Sequence, residues 1–241
     1  MVDMHCHILP GLDDGAATMD EAVAMAGIAA ASGIAHIVAT SHGNCPPYSY
    51  TLEEYREAFD ALQEELIQRE IPVKLHPGME IFLDGDAVPL LREKRLLTLG
   101  GTETVLAEFP FEERPDVVCR RLDELKEAGY RIVLAHPERY IFLQRDPEFA
   151  GYLARSGCVM QINQGSLVGD FGESCRRLAM QMLQEGIVGV IATDAHDTEY
   201  RSHDLTRLMR FLEDGCSGRE RHIWLSENPS RILKGMQPLS C

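Results

Sequence analysis

Short apolar runs recur seven times along this chain, at 1–4, 36–40, 73–79, 104–107, 131–135, 159–162 and 187–192. Helical patterns follow most of them, as at 115–128, 173–185 and 203–213. Strands that alternate with helices pair in parallel, because each helix carries the chain back to the starting edge of the sheet. Seven such units, with no linker, low-complexity tract or further sequence repeat, predict one α/β domain over residues 1–241. That many consecutive parallel units close, fully or nearly, into a barrel.

The helix boundaries are written locally. Thr18-x-x-Glu21 reads as a capping box that opens an Ala/Met-rich helix, ended by Gly33. Thr51-x-x-Glu54 opens a second helix through about Arg69, with Tyr55, Phe59, Leu62 and Leu66 on one stripe. The uncharged stretch 22–39 is broken by Ser32-Gly33 and His36, so it reads as a helix followed by a strand rather than a membrane span.

The formal net charge of −15 argues against a nucleic-acid groove or a membrane-surface patch, both of which need clustered Lys and Arg. The same excess is what a metal-binding chain shows when its carboxylates are counted without cations. The seven cysteines are odd in number and form no C-x-x-C pair. With no basic, apolar leader before His5, they predict reduced thiols in a cytoplasmic protein. None has an arginine six positions on, which excludes a thiolate phosphatase loop. Neither a Walker-type loop nor G-x-G-x-x-G occurs.

The residues that end the apolar runs carry the chemistry. The first run ends in His5 and His7, the second in His42, the third in Glu80 and the fourth in Glu108. The fifth ends in His136, the sixth in Asn163 and the seventh in Asp194 and His196. In a parallel barrel these carboxyl ends converge on one face. Imidazole and carboxylate together suit manganese, iron or zinc. His5 and His7 are one residue apart in alternation and share a strand face, so they read as the first half of a metal site. His36, His76, His203 and His222 read as structural or surface residues. Asp13 reads as a turn residue, and Asn163, Gln164 and Ser166 as residues that hold a loop by hydrogen bonds.

Seven segments occur in order over nearly the whole chain: MVDMHCHILPGLDDGA, TSH, PGMEI, LAEFP, LAHPERY, QINQGSL-x-GDFG and IATDAH. With them the chain resembles the PHP (polymerase and histidinol phosphatase) superfamily. More narrowly, it is similar to the manganese-dependent protein-tyrosine phosphatases encoded with bacterial capsule and exopolysaccharide genes. The H-C-H-I-L-P-G-x-D-D-G start and the A-H-P-E-R-Y segment carry the narrower likeness.

The resemblance implies a distorted (β/α)7 barrel and a three-ion manganese (Mn2+) site, with iron or zinc as substitutes. In that picture His5, His7, Glu80 and Asp194 hold one ion. Glu80 also bridges to a second, held by Glu108 and His136, and Asp14, His42 and His196 hold a third. Arg139 and Arg201 grip the substrate phosphate; Arg201 is expected at the start of a helix. The implied reaction is hydrolysis of a phosphomonoester without a covalent phosphoenzyme. The implied partner is the phosphotyrosine tail of a membrane-associated bacterial tyrosine kinase. Two alternatives stand beside it: a small-molecule phosphatase such as histidinol phosphatase, and a catalytically silent binding module. One departure from the family pattern is Gly43, where a further histidine or basic residue often follows His42; it bears on the substrate rim.

Overall fold

Nine parallel strands alternate with helices in the computed structural model, which describes residues 1–240. The strands are β1 (Val2–Cys6), β2 (His36–Ala39), β3 (His42–Gly43), β4 (Lys74–Pro77) and β5 (Glu80–Phe82), then β6 (Thr104–Glu108), β7 (Arg131–Ala135), β8 (Cys158–Asn163) and β9 (Val188–Ala192). They form two sheets, β1-β2-β4 and β3-β5-β6-β7-β8-β9. β2 and β3 are halves of one interrupted stave, as are β4 and β5, so the two sheets share two staves. A parallel bridge between Cys6 and Ala195 joins β1 to the end of β9 and closes the ring. The result is a distorted (β/α)7 barrel. The expected third run over 73–79 is therefore split by Pro77-Gly78-Met79, because Pro77 ends the ladder that β4 makes with β2.

The barrel interior is a compact apolar cluster of Val2, Met4, Val38, Leu106, Val133, Ala135, Val190 and Ala192, joined by Leu99 and Ile232. The opposite faces of the same strands, through Ile37, Leu75, Val105, Ile132, Leu134 and Ile191, pack in the outer core with the helices. Along most staves the inward face runs from apolar to polar at the carboxyl end. Val38 leads to His42, Leu106 to Glu108, and Val190 and Ala192 to Asp194. The period of two carries the ligand types onto the face that packs the core below them.

β1 breaks that rule. Its register against β2 runs Asp3–Ile37 and then Cys6–Ala39, one extra residue on β1. The bulge turns the strand over. Val2 and Met4 face the interior before it; afterwards His5 and His7 reach the centre while Cys6 packs with the outer core.

Both expected capping segments start helices. Thr51 and Glu54 make the full reciprocal box at the head of Leu52–Gln68, a cap that stabilises a helix by about 1 kcal/mol. Thr18 caps Met19–Ala31, but the Glu21 carboxylate reaches back to the amide of Ala17 rather than that of Thr18. On the stripe of the second helix Tyr55, Leu62 and Leu66 are buried and Phe59 is only partly so. The six cysteines among the described residues are free thiols; Cys241 lies outside those residues. No helix among the described residues is long and apolar enough to cross a membrane.

Candidate metal centre

All nine expected ligands gather at the carboxyl ends of the staves. His5 Nε2 lies 3.2 Å from Glu80 Oε2 and 3.3 Å from Asp194 Oδ1. His7 Nε2 lies 3.2 Å from the same Glu80 oxygen. His136 Nε2 is 2.8 Å from Glu80 Oε1 and 3.7 Å from Glu108 Oε1. His42 Nδ1 is 3.4 Å from Glu108 Oε2, and Asp14 Oδ1 sits 3.5 Å from both His42 Nε2 and His196 Nε2. Donor atoms of His7, Asp14, His42 and His196 fall within 4.8 Å of one another, as do those of His5, His7 and Glu80 and those of His5, His136 and Asp194.

Two ligands have left-handed backbone, and one of them reaches the centre only because of it. Ala135 faces the barrel interior, so His136 would face outward; a left-handed φ of 34° turns it back in. Asp194 is also left-handed, at φ 54°. Such conformations are uncommon for residues with a Cβ and concentrate at functional sites.

Hydrogen bonds behind the ligands set their tautomers. His5 Nδ1 donates to Gln161 Oε1 at 2.9 Å, and His7 Nδ1 donates to Asp13 Oδ2 at 2.8 Å. His196 Nδ1 donates to the Asp194 carbonyl at 2.9 Å. Each ring therefore presents Nε2 to the centre. Gln161 Nε2 then donates to Asn163 Oδ1, and Asn163 Nδ2 donates to Asp194 Oδ2 at 2.6 Å, so one chain of bonds links His5 to Asp194.

Electrostatics favour bound cations. Burial disfavours the protonated His42 imidazole, but Asp14, Glu108 and Glu80 lift it to about 12. His7 is lifted against burial to about 10, chiefly by Asp13 and Glu80. Burial pushes the Glu80 and Asp194 carboxyls up, yet His5 first, then the other imidazoles and, for Asp194, Arg201, hold both well below the usual range. The donor set fits divalent metal. His5 and His7 point Nε2 atoms at each other across 3.3 Å with both Nδ1 hydrogens already committed, a contact that needs a cation or a proton between the lone pairs. His42 Nδ1 and His136 Nδ1 are buried without a hydrogen-bond partner.

Both arginines reach the same carboxylate. Arg201 Nη2 donates to Asp194 Oδ2 at 2.6 Å and Arg139 Nη1 at 3.4 Å, while Asp194 Oδ1 faces the imidazoles. The Arg139 guanidinium lies between Phe111 and Phe171, 4.2 and 4.7 Å from their ring centroids. Arg201 does not open a helix. That helix begins at Thr206, and Arg201 sits in a tight loop whose amides at 199, 200 and 201 all donate to Asp197. The side chain of Asp197 satisfies those amides in a turn, so the backbone has no need of a helix there.

Several residues that support the ligands carry no distinctive signal of their own in the sequence. Asp13 is more than a turn residue: besides His7 it accepts from the amides of Gly15 and His42. Gly15 lies against His7 so closely that a Cβ would sit 1.9 Å from the His7 carbonyl oxygen. Buried Glu138 accepts from the Asn163 amide and the Ser166 hydroxyl, and Gln164 donates to the Ser202 carbonyl. These bonds hold the loops as expected. A ligating imidazole needs an acceptor behind it, and that rule was the available signal for Asp13. His203 is buried against Cys6 and Asp3, and His36 pairs with His76 at the opposite end of the barrel; neither joins the centre.

Known proteins resemble this chain in sequence and in fold. The chain is 35% identical over 234 residues to the tyrosine-protein phosphatase YwqE of Bacillus subtilis (strain 168), covering 97% of this chain and 92% of that protein. It is 26% identical over 240 residues to the tyrosine-protein phosphatase CpsB of Streptococcus agalactiae, covering 97% and 98%. A solved structure from the study of YwqE of Bacillus subtilis and CpsB of Streptococcus pneumoniae, described as metal-dependent tyrosine phosphatases, superposes with a TM-score of 0.92 at 33% identity, over 100% of this chain and 97% of that one. The phosphotriesterase homology protein of Escherichia coli shares the fold at a TM-score of 0.63 and 11% identity, covering 97% of each chain. The profile of one family, described as capsular polysaccharide synthesis, CpsB/CapC, matches residues 1–234, and the chain belongs to that family.

Proposed function

We propose that this protein is a metal-dependent tyrosine-protein phosphatase of capsular or exopolysaccharide synthesis, working as a single cytoplasmic domain. Its substrate is the phosphotyrosine tail of a membrane-associated bacterial tyrosine kinase, and its metal is manganese. The observation that carries the reading is Asp194, which turns one oxygen to the imidazole cluster and the other to Arg139 and Arg201. Ligand side and phosphate side meet at that carboxylate.

The nine donors hold the ions, which when bound supply an activated water and neutralise phosphate oxygens. The chain does the positioning that phosphoryl transfer chiefly needs. Arg139 and Arg201 bind the phosphate by charge-assisted bonds, and the stacking of Arg139 between Phe111 and Phe171 restricts the direction of its guanidinium. A phenol leaves with a pKa near ~10 and needs less protonation than an alkoxide. A chain of charge −15 repels a phosphorylated tail at long range, so the ions and the two arginines act as a local positive site within an acidic surface.

The test is phosphate release from a phosphotyrosine peptide, with manganese and with EDTA, beside histidinol phosphate at equal concentration. Fast, EDTA-sensitive release that favours the peptide is the expected result. Preference for histidinol phosphate would move the protein to small-molecule metabolism, and no release from either despite bound metal would make it a silent module.

A further inference from the structure

A thiol stands at the edge of the centre. Cys45 Sγ lies within 4.8 Å of a His42 nitrogen and a Glu108 carboxylate oxygen, and those two atoms lie within the same distance of each other. One tetrahedral ion with bonds of about 2.0–2.3 Å to nitrogen, oxygen and sulfur sets its donors roughly 3.3–3.8 Å apart, so the three would close by up to about 1 Å to share it. The thiol is not otherwise engaged: its hydrogen-bond contact is a long one, 3.9 Å to the Pro46 carbonyl. His42 Nδ1 is buried and makes no well-aligned hydrogen bond, although Glu80 Oε2 lies 3.2 Å and Glu108 Oε2 3.4 Å from it. A groove of about 640 Å³ lined by His42, Cys45, Tyr48 and Met79 opens here and gives an ion a path in.

A second thiol cluster in the fold provides a contrast. Asp3, Cys6 and His203 also bring three donor types together, but both Asp3 oxygens already accept hydrogen bonds from Thr193, and all three residues are sealed from solvent. That cluster is complete as a hydrogen-bonded anchor. Cys45 is left open.

Building on the metal-dependent reading above, we propose that Cys45 is a further ligand of the centre, joining the ion beside Glu108 and His42. Ligation forms a metal–sulfur bond and releases the thiol proton to water. A thiolate biases that one position toward a softer divalent ion, zinc or cobalt(II), over manganese. The positions held by oxygen and nitrogen donors alone lack this added thiolate preference.

Cobalt(II) added to the metal-stripped full chain tests this by absorption. The expected result is a near-ultraviolet thiolate-to-cobalt charge-transfer band that is lost in Cys45→Ser, while that variant retains cobalt and its visible bands. The zinc-over-manganese affinity ratio of Cys45→Ser should fall at least about tenfold, the scale on which even groups behind a ligand act. In the unaltered chain, zinc should slow maleimide labelling of Cys45, mapped by peptide mass, by a similar factor. Equal near-ultraviolet spectra at full cobalt loading, or labelling indifferent to zinc, overturn the proposal alone. Failure of both chains to retain any cobalt overturns the metal-dependent reading as well.

Discussion

Asp13 stands directly behind His7, its Oδ2 accepting the His7 Nδ1 hydrogen at 2.8 Å while also accepting from the His42 amide at 2.9 Å. One carboxylate thus orients a ligand just past the end of β1 and holds the segment that carries a ligand on β3. Asp13→Ala should lower manganese affinity by about 10–100-fold while the far-ultraviolet circular dichroism stays unchanged. Isothermal titration of the stripped protein measures it, and an unaltered affinity would remove Asp13 from the machinery.

On the proposed reading Asp194 joins the metal side to the phosphate side, so its loss should abolish both functions together. Asp194→Ala should purify with less metal, release no phosphate from a phosphotyrosine peptide, and keep its fold. Manganese at ~100 times its dissociation constant should stabilise the unaltered protein by about 2.7 kcal/mol against EDTA, read as a rise in Tm. The variant should show a much smaller rise. Full activity in Asp194→Ala would contradict the assignment.

Arg201 differs from a generic positive charge in its fork. Its Nη2 bonds Asp194 Oδ2 at 2.6 Å from a loop fixed by Asp197. Arg201→Lys keeps the charge but loses the planar donor pair. We expect kcat/KM for the phosphotyrosine peptide to drop about 100-fold, the usual scale for one lost transition-state donor, with metal content unchanged. Equal kcat/KM would leave the arginine with a purely structural role.

At the opposite end of the barrel, His36 Nδ1 and His76 Nε2 are 3.0 Å apart. Burial, then the neighbouring His36 and Lys74, lower the His76 pKa to about 4. The sign follows from proton uptake. Between an unfolded value near ~6.5 and about 4, the unfolded chain binds a proton that the folded chain refuses. Stability present above pH ~6.5 should therefore fall as pH drops through that window. Urea midpoints across pH should show a shallower decline in His76→Phe; an identical decline would show that other groups dominate it.

How much of this was legible beforehand differs stave by stave. For β2–β3, β6 and β9 the inward parity runs unbroken from core to ligand, so Val38 and His42, Leu106 and Glu108, and Val190 and Asp194 follow from alternation alone. His5 and His136 do not. Strict alternation sets His5 opposite Met4 and His136 opposite Ala135, and both of those partners face the interior. A bulge in one case and a left-handed residue in the other bring the ligands in. Neither has a distinctive residue type to announce it.

The sequence by itself determined the alternation of strands and helices, the donor types at the strand ends and the acidic surplus that favours cations, because each is a property of local order or composition. Only the tertiary structure decided which groups stand behind the ligands. Gln161 meets His5 across 156 positions, Asn163 meets Asp194 across 31, and Phe111 and Phe171 close on Arg139 from different loops. Those contacts form only when the barrel closes and brings distant strand ends within hydrogen-bond reach, and no local pattern encodes that distance.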